Sequence, residues 1–406
     1  MPKYFGENNP EIPENLFLEI LSYLDNRDLI LVLPYVSKDW LFIRHTEGLK
    51  QQMLGVILKR ILGLSFNPLE DTLETITSGY TNTNLKIITK SGAYVLRIPL
   101  MKDHLFIHRC HEQANTLTAH ALGLGAELVF YELSTGIMVT KWIASATCLT
   151  KQAMVQENIL RLIARVLKQL HQSDKKFLGD WGIFEKIQCL YDFVLRNHLL
   201  CDRELLDGLI HQTHQVKALM ETISIALCPC HNDLSPSNFL GLDDDLRIID
   251  WEFSGNNDPL WDLAFLGVAS ELSEEKEGVL LLHYLGIDYR GSLEHTRYRL
   301  YKPMVHFWIG LLSILQIYNC NERLARDWLV RVSEQRLNQA KDLFDRSQAF
   351  ITDFSLAIQK KDLEETGSSA TLCFSYSPTV PIQDQSLESD RSSQLSEVKT
   401  SKISYN

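Results

Sequence analysis

Two neighbouring stretches decide the fold: CHNDLSPSN at residues 230–238, and RIIDWE at residues 247–252. The first stretch is typical of a loop, and the second is typical of an apolar strand that ends in acidic residues. An isolated His-x-Asp triplet is common, so the first stretch alone is also compatible with an ordinary polar loop. The two stretches together are far more specific. An asparagine follows the loop aspartate by five residues, and a second aspartate follows the strand.

The residue types in these stretches are those that phosphoryl transfer requires. The reaction needs a carboxylate to accept the proton of the attacking hydroxyl, and Mg²⁺ ions held between phosphates and protein oxygens. Asp233 supplies the carboxylate, while Asn238 and Asp250 supply the oxygen ligands that suit Mg²⁺. We expect His231 to lock the loop through hydrogen bonds to its backbone. These four residues form the predicted catalytic set, with Asn238 and Asp250 as metal ligands.

A small sheet-plus-helix region is predicted upstream of this loop. Hydrophobic runs alternate with turn residues, and a Lys-Ser-Gly turn at residues 90–92 joins two of the strands. From about residue 150 the pattern is mostly helical. The predicted elements are strands at 85–88, 94–98, 127–132 and 137–142, and a helix at 108–122.

Composition narrows the class of protein. The 406 residues carry a net charge of −11, which argues against nucleic-acid binding. Eight scattered cysteines are typical of free thiols in a reducing compartment, which favours a cytoplasmic protein. Residues 1–10 lack the apolar core of a secretory signal, and no apolar run approaches the length of a membrane span. We therefore expect no integral membrane segment.

Several motifs resemble those of one enzyme superfamily. They are SGYTNTN at residues 78–84, YVLRIP at 94–99, TGIMVTKWI at 135–143 and IDWEFSGNNDPLWDLA at 249–264. In this order they resemble the aminoglycoside phosphotransferase and choline kinase superfamily, and within it the choline/ethanolamine kinases of the LicA type. The resemblance implies an α+β, bilobal, protein-kinase-like fold, with a small β-rich N-lobe and a helical C-lobe. It also implies ATP and Mg²⁺ as cofactors.

The resemblance assigns the nucleotide site to the N-lobe. The loop at residues 78–84 would cover the ATP phosphates, Arg97 would contact them, and Glu112 would pair with Arg97. The hinge at residues 141–143 would bind adenine through its backbone. The residues implied for this site are Ser78, Gly79, Thr81, Asn82, Asn84, Arg97, Glu112, Lys141 and Ile143. Three positions depart from the family pattern: Ser78, Leu100 and Ala144.

The acceptor implied by the resemblance is a small amino alcohol, with choline first. Aromatic faces attract a quaternary ammonium through cation–π interaction, and a carboxylate assists. An aromatic residue in an apolar helix is equally typical of a core, and Asp262 could instead tie the catalytic loop together. Ethanolamine, thiamine and aminoglycosides remain alternative acceptors. The candidate acceptor residues are Glu252, Phe253, Trp261, Asp262 and Trp308.

The front of the chain resembles a different module. Residues 12–40 follow the F-box pattern, in which short helices leave apolar surface for a partner. The resemblance implies binding to the Skp-type adaptor of SCF ubiquitin ligases, and a helical hairpin on the kinase lobe is the alternative. This resemblance also allows a second functional class. In that class the protein is a substrate receptor of a ubiquitin ligase, and its kinase fold is only a binding module. The candidate adaptor contacts are Pro13, Leu16, Ile20, Leu21 and Leu24.

The predicted organisation has four parts. They are an F-box-like module at residues 10–62, an N-lobe at 66–143, a C-lobe at 144–360 and a disordered Ser-rich tail at 362–406. A eukaryotic adaptor motif beside a bacterial type of kinase suggests a second location besides the bacterial cytoplasm. In that hypothesis an intracellular bacterium secretes the protein as an effector into the host cytosol.

Overall fold

The computed structural model describes residues 71–76, 82–99, 105–199, 202–242, 244–286, 289–319 and 323–366. The predicted F-box-like module and its five adaptor contacts lie outside these residues. Ser78, Gly79 and Thr81 of the predicted phosphate loop also lie outside them.

A five-stranded antiparallel sheet forms the N-lobe, with strand order β1-β2-β3-β5-β4. Alternate residues of the central strands, including Leu85, Ile87, Leu96 and Ile98, are buried, as expected for a sheet with one covered face. Gly92 closes the central hairpin at φ 138°, a conformation that favours glycine. The strands are β1 (Thr72–Ile76), β2 (Asn82–Thr89), β3 (Gly92–Pro99), β4 (Leu128–Tyr131) and β5 (Met138–Lys141).

The predicted N-lobe elements are confirmed, with one strand added. The helix predicted at 108–122 is α1 (Arg109–Ala121), and it lies between β3 and β4 in the chain. β1 was not predicted, because its threonines continue into a polar, glycine-containing run that is typical of a loop. Its pairing with β2, with Thr72 opposite Ile88, is a long-range choice that local pattern does not specify.

The C-lobe is mainly helical. The amphipathic helix α3 buries Leu160, Ile163, Leu167 and Leu170, which recur at helical spacing. The helices are α2 (Lys151–Met154), α3 (Glu157–His171), α4 (Ile183–Arg196), α5 (Arg203–Met220), α6 (Pro259–Ala269), α7 (Glu274–Leu285), α8 (Leu293–Asn319) and α9 (Arg323–Thr366).

Helix α8 is the one described helix that is long and apolar enough to cross a membrane. The window Leu293–Tyr318 passes by length and composition, although the sequence predicted no run of that kind. Within this window 72% of the residues are buried inside the protein, as is typical of the core helix of a globular domain. It packs against α6, and both helices contribute large buried aromatic side chains.

Two small sheets carry the predicted catalytic loops. One is a three-stranded sheet of β6 (Thr147–Cys148), β8 (Phe239–Leu242) and β9 (Asp245–Ile248). The other pairs β7 (Cys228–Cys230) with β10 (Gly255–Asn257). The motif at 230–238 leaves β7, and Asp250 follows β9, so short strands hold both ends of the loop region.

The chain divides into two compact units, Met1–Leu356 and Ala357–Asn406. The sheet, the helices α1–α8 and all the site residues discussed below belong to the first unit. Of the second unit, the structure describes the helical residues 357–366. Because helix α9 ends at Thr366, residues 362–366 are helical rather than part of the predicted tail.

Candidate active site

A buried aspartate holds the backbone of the catalytic loop. Asp262, in the first turn of α6, accepts hydrogen bonds from the backbone N–H groups of His231 and Asn232, at 2.8 and 2.7 Å. His171, at the end of α3, contacts the same carboxylate at 3.1 Å. Asn232 has φ 68°, a left-handed conformation that asparagine tolerates better than most residues. This anchoring fixes the direction in which the chain enters Asp233.

His231 links the two motifs through backbone contacts, as the sequence predicted. Its Nδ1 accepts from the backbone N–H of Asp233 at 3.3 Å, so the ring carries its proton on Nε2. Nε2 then donates to the carbonyl oxygen of Ile249 at 3.0 Å. Burial lowers the pKa of His231, so the ring is neutral and each nitrogen keeps one role. His231 therefore joins the Asp233 loop to the residue before Asp250 and fixes the distance between them.

Asp233 lies in an environment suited to a proton acceptor. Burial, and next the negative charge of Asp250, raise the pKa of Asp233 to about 8. The Asn238 side chain donates to the backbone oxygen of Asp233 at 2.9 Å, and the Asn238 carbonyl accepts from Ile249 N–H at 2.9 Å. Asp233 and Asn238 are thus held by the same loop, and Asn238 is bonded to the residue before Asp250. A carboxyl with a raised pKa is a stronger base once it is deprotonated.

Asp250 lies opposite a buried cation. Its carboxylate forms a salt bridge of 2.7 Å with Arg97, and its side chain remains 29% exposed. Asp250 has φ 69°, and a short 3-10 turn over Trp251–Phe253 begins directly after it. Strained left-handed residues of this kind cluster at functional sites. The exposed part of the carboxylate remains accessible to a ligand from solvent.

The predicted Arg97–Glu112 pair is formed. Arg97 on β3 and Glu112 on α1 are in direct hydrogen-bonded contact, and both side chains are almost fully buried. Glu112 also accepts from Tyr131 and, at 3.1 Å, from Arg109. The surrounding carboxylates raise the pKa of Arg97 despite its burial, so the guanidinium stays charged. Among the described residues, Nε of Arg97 has no hydrogen-bond partner.

The carboxylate of Glu252, predicted as an acceptor residue, lies beside Asn82 and Arg97 and not within the group of aromatic candidates. Asn82 donates to its carboxylate at 3.3 Å, and Arg97 lies 3.5 Å away. Burial, and next the Asp250 charge, raise the pKa of Glu252 to about 8. Glu112, Asp250 and Glu252 offer oxygens within 4.8 Å of one another. Carboxylate oxygens are the ligand type that Mg²⁺ prefers, and the Arg97 guanidinium contacts all three carboxylates in this structure.

The remaining nucleotide-site candidates lie along the sheet and the hinge. Asn84 pairs with Arg97 across the central hairpin. Lys141 is exposed at the end of β5 and pairs with Glu127 at 2.7 Å. Trp142 N–H donates to Ala93, which ties the hinge to β3. Ile143 follows directly, so its backbone lies where the sheet passes into the helical lobe.

The aromatic acceptor candidates separate into two places. Trp308 on α8 lies in a cluster with Phe253, at 6.5 Å between ring centroids. Trp181 and Phe106 complete this cluster, at 5.7 and 5.4 Å from Trp308. Trp261 lies elsewhere, packed on Phe265 and Tyr301 in the core. The aromatic cluster is defined here as Phe106, Trp181, Phe253 and Trp308.

Several site residues were missed by sequence reasoning. Asn115 on α1 bonds to the backbone of Leu178 and Ser254, which joins the N-lobe helix to the C-lobe loops. His171 and Trp181 lie in segments without a chemical motif. A polar residue on the covered face of an amphipathic helix is the only signal that pointed to Asn115 or His171.

The fold and this arrangement define a kinase-like phosphotransferase. A sequence model of the phosphotransferase enzyme family matches residues 72–301, more than half of the chain, and the chain belongs to that family. Asp233, Asn238, Asp250 and Arg97 all lie within the matched region.

Among similar proteins are two LicA proteins of Haemophilus influenzae. One is 30% identical over 208 residues, 51% of this chain and 60% of the relative. The other, from strain KW20, is 30% identical over 206 residues, 50% of this chain and 76% of the relative. The chain thus spans less than two thirds of the first relative. The fold is similar to that of choline kinase LicA from Streptococcus pneumoniae, with a TM-score of 0.61 and 24% identity, over 73% of this chain and 99% of that one.

Proposed function

We propose that this protein is an ATP-dependent kinase that phosphorylates the hydroxyl of a small amino alcohol, with choline as the first candidate. The observation that carries the proposal is the bonded arrangement of Asp233, Asn238 and Asp250. One hydrogen-bond network holds all three beside the buried Arg97–Glu112 pair. Membership of the phosphotransferase enzyme family and similarity to LicA proteins support the same assignment.

Asp233 acts as the proton acceptor in this proposal. It takes the proton of the acceptor hydroxyl as the oxygen attacks the terminal phosphorus of ATP. The bond from that phosphorus to the bridging oxygen breaks, and ADP leaves with the electron pair. Its raised pKa suits this role, because a stronger base accepts the proton more readily.

The nucleotide and metal are assigned to the groups around Arg97. Mg²⁺, when bound, supplies positive charge against the phosphates. Asn238 and Asp250 would hold it, with Glu252 close to Asp250. Arg97 provides a permanent charge with one donor, Nε, without a partner among the described residues, which suits a phosphate oxygen. Asn82, Asn84 and the backbone of Lys141 and Ile143 are proposed to complete the nucleotide site, with Ser78, Gly79 and Thr81.

The test is phosphate transfer from radiolabelled ATP to a panel of acceptors. The panel contains choline, ethanolamine, thiamine, an aminoglycoside and a sugar, each with wild-type protein and with Asp233→Asn. We expect labelled phosphocholine or phosphoethanolamine with wild type and a strong loss with the variant. Transfer to the aminoglycoside or sugar alone would overturn the amino-alcohol assignment. Absence of transfer to every acceptor would overturn the kinase assignment.

A second function is favoured by the F-box pattern in residues 12–40. We propose that Pro13, Leu16, Ile20, Leu21 and Leu24 bind a Skp-type adaptor and thereby localise the kinase within a host cell. Co-purification of full-length protein with the adaptor tests this proposal. Leu16→Asp should abolish co-purification, while Asp233→Asn should retain it and lack transferase activity. Equal capture of both variants would contradict the proposed surface.

A further inference from the structure

The aromatic cluster already holds a cation supplied by the protein itself. The ammonium of Lys186 lies 4.6 Å from the ring centroid of Trp181 and 5.5 Å from that of Phe106. Both distances lie within the range in which a ring face attracts a cation. An ammonium ligand would bind to the cluster at this same position.

The local fold brings Lys186 to this place. Trp181 precedes Gly182, which has φ 58° and begins helix α4, so the chain reverses between the indole and the first helical turn. Lys186 N–H donates to the carbonyl of Gly182 at 3.1 Å, which closes that turn. The lysine side chain on the turn thereby returns over the face of Trp181.

No carboxylate holds this ammonium among the residues that the structure describes. Its neighbour Glu185 pairs with Lys217 on α5, at 2.8 Å. Glu185 and Cys189 on the same helix act electrostatically on Lys186, and Lys186 in turn acts on His111 in α1. The lysine is held mainly by two ring faces, an interaction that water and other cations can replace.

The cluster adjoins the catalytic loop. Phe253 lies three residues after Asp250, and its carbonyl oxygen accepts from the Asn232 side chain at 3.0 Å. Asn232 directly precedes Asp233. Trp181 is bonded to the same region, because its backbone N–H donates to Asn256 at 2.8 Å. An acceptor whose cationic head contacts these rings therefore lies near the residue proposed to take its proton.

The four rings are buried, whereas Lys186 is only half-buried and forms the outer edge of the cluster. A solute that reaches the faces of Trp181 and Phe106 must replace the lysine head. Burial lowers the pKa of Lys186, which means that its charge gains hydration when the head moves into water. The buried indole N–H of Trp181 has no acceptor within the described part of the chain.

We propose that Lys186 is a tethered competitor for the acceptor: its ammonium occupies the ring faces of Trp181 and Phe106, and the cationic head of the amino alcohol must displace it. The residue thereby determines how strongly the enzyme prefers cationic over neutral acceptors. The inference rests on the proposed function. It adds a specificity-determining residue on α4 that touches the rings and takes no part in the transfer.

The first test measures binding without turnover. Tetramethylammonium chloride has no hydroxyl and is titrated calorimetrically into wild type, Lys186→Met and Lys186→Arg. Methionine keeps an unbranched side chain without the charge, and arginine keeps the charge. We expect Lys186→Met to bind tetramethylammonium about three- to thirty-fold more tightly than wild type, which is the range expected for loss of a partly buried cation–π competitor. Equal affinity in the three proteins, or no detectable binding in any, would overturn the proposal.

The second test separates charge from packing. Choline and its neutral isostere 3,3-dimethylbutan-1-ol are compared as acceptors. With Lys186→Met, the KM for choline should fall by a similar factor with kcat unchanged. The KM of the isostere should fall less, because the neutral head must also displace the lysine but is not repelled by its charge. An equal fall for both acceptors would contradict the preference between cationic and neutral acceptors that is assigned to Lys186. Lys175→Met removes an exposed charge that pairs with Asp174, and it should leave both KM values unchanged. Lys186→Gln replaces Lys186→Met if the methionine variant does not fold.

The two proposals fail in different ways. If no amino alcohol is phosphorylated but Lys186→Met still gains tetramethylammonium affinity, the proposed function is wrong and the occupied cation site stands. If choline is phosphorylated but neither its KM nor tetramethylammonium binding responds to Lys186→Met, the site inference is wrong and the kinase stands.

Discussion

Asp233 and Asp250 lie on neighbouring loops, yet the main charge near Asp233 is negative and the main charge near Asp250 is positive. Asp233 is hydrogen-bonded to neutral groups and lies near the negative charge of Asp250. Burial and that charge raise the pKa of Asp233 to about 8. Asp250 faces the guanidinium of Arg97 at 2.7 Å and remains partly exposed. One environment favours proton uptake, and the other pairs the carboxylate with a fixed positive charge. The difference teaches that neighbouring groups, and not residue type, distinguish the aspartate proposed as the base from the one proposed as a metal ligand.

The largest expected effect comes from removing the base. Asp233→Asn should lower kcat by about 10²- to 10⁴-fold, the usual contribution of a positioned general base. The KM for ATP should change little, because Asp233 makes no contact with the Arg97 group. Steady-state kinetics with choline and ATP measure both values, and exposed Asp174→Asn is the matched control. A loss confined to the KM for ATP would reverse the roles assigned to the two aspartates.

The next effect tests the anchor beneath the Asp233 loop. Asp262→Ala removes the acceptor of two buried backbone N–H groups and of the His171 contact. Buried donors without partners destabilise a fold, so the free energy of unfolding should fall by about 3 kcal/mol. Urea denaturation measures this change. A variant as stable as wild type would show that other groups, or water, take over the role of Asp262.

A smaller effect of opposite sign is expected from Asp233 in the metal-free protein. Its folded pKa lies above the unfolded value, so the native state binds the extra proton and stability falls as pH rises from about 4 to about 8. Allowing for its partial exposure, Asp233→Asn should raise the free energy of unfolding at pH 8 by about 2 kcal/mol, with no gain at pH 4. Denaturation in chelator at both pH values checks this. Equal effects at both values would contradict a raised pKa.

The residues of this site that belong to a motif were found from the sequence, whereas several residues around them were not. Asp233, Asn238 and Asp250 fall in two short motifs, and the Arg97–Glu112 pair followed from family resemblance. Trp181, Phe106 and Lys186 carry no motif, and their meeting depends on a reversal at Gly182 and on packing against α8. Glu252 was predicted as an acceptor residue, together with Phe253. Within a 3-10 turn adjacent residues point in different directions, so Glu252 meets Arg97 while Phe253 meets the aromatic cluster.

The smallest expected effect concerns Asp250 as a cation ligand. Asp250→Asn keeps an oxygen but removes the charge, so the Mg²⁺ concentration for half-maximal activity should rise by at least about tenfold. Activity is measured over a Mg²⁺ titration at saturating ATP, with exposed Asp244→Asn as the control. Because the variant also removes a like charge from beside Asp233, the activity that remains at high Mg²⁺ should persist to lower pH than in wild type. An unchanged Mg²⁺ requirement would move the metal to the Glu112–Glu252 side of Arg97, and the contrast between the two aspartates would then rest on Arg97 alone.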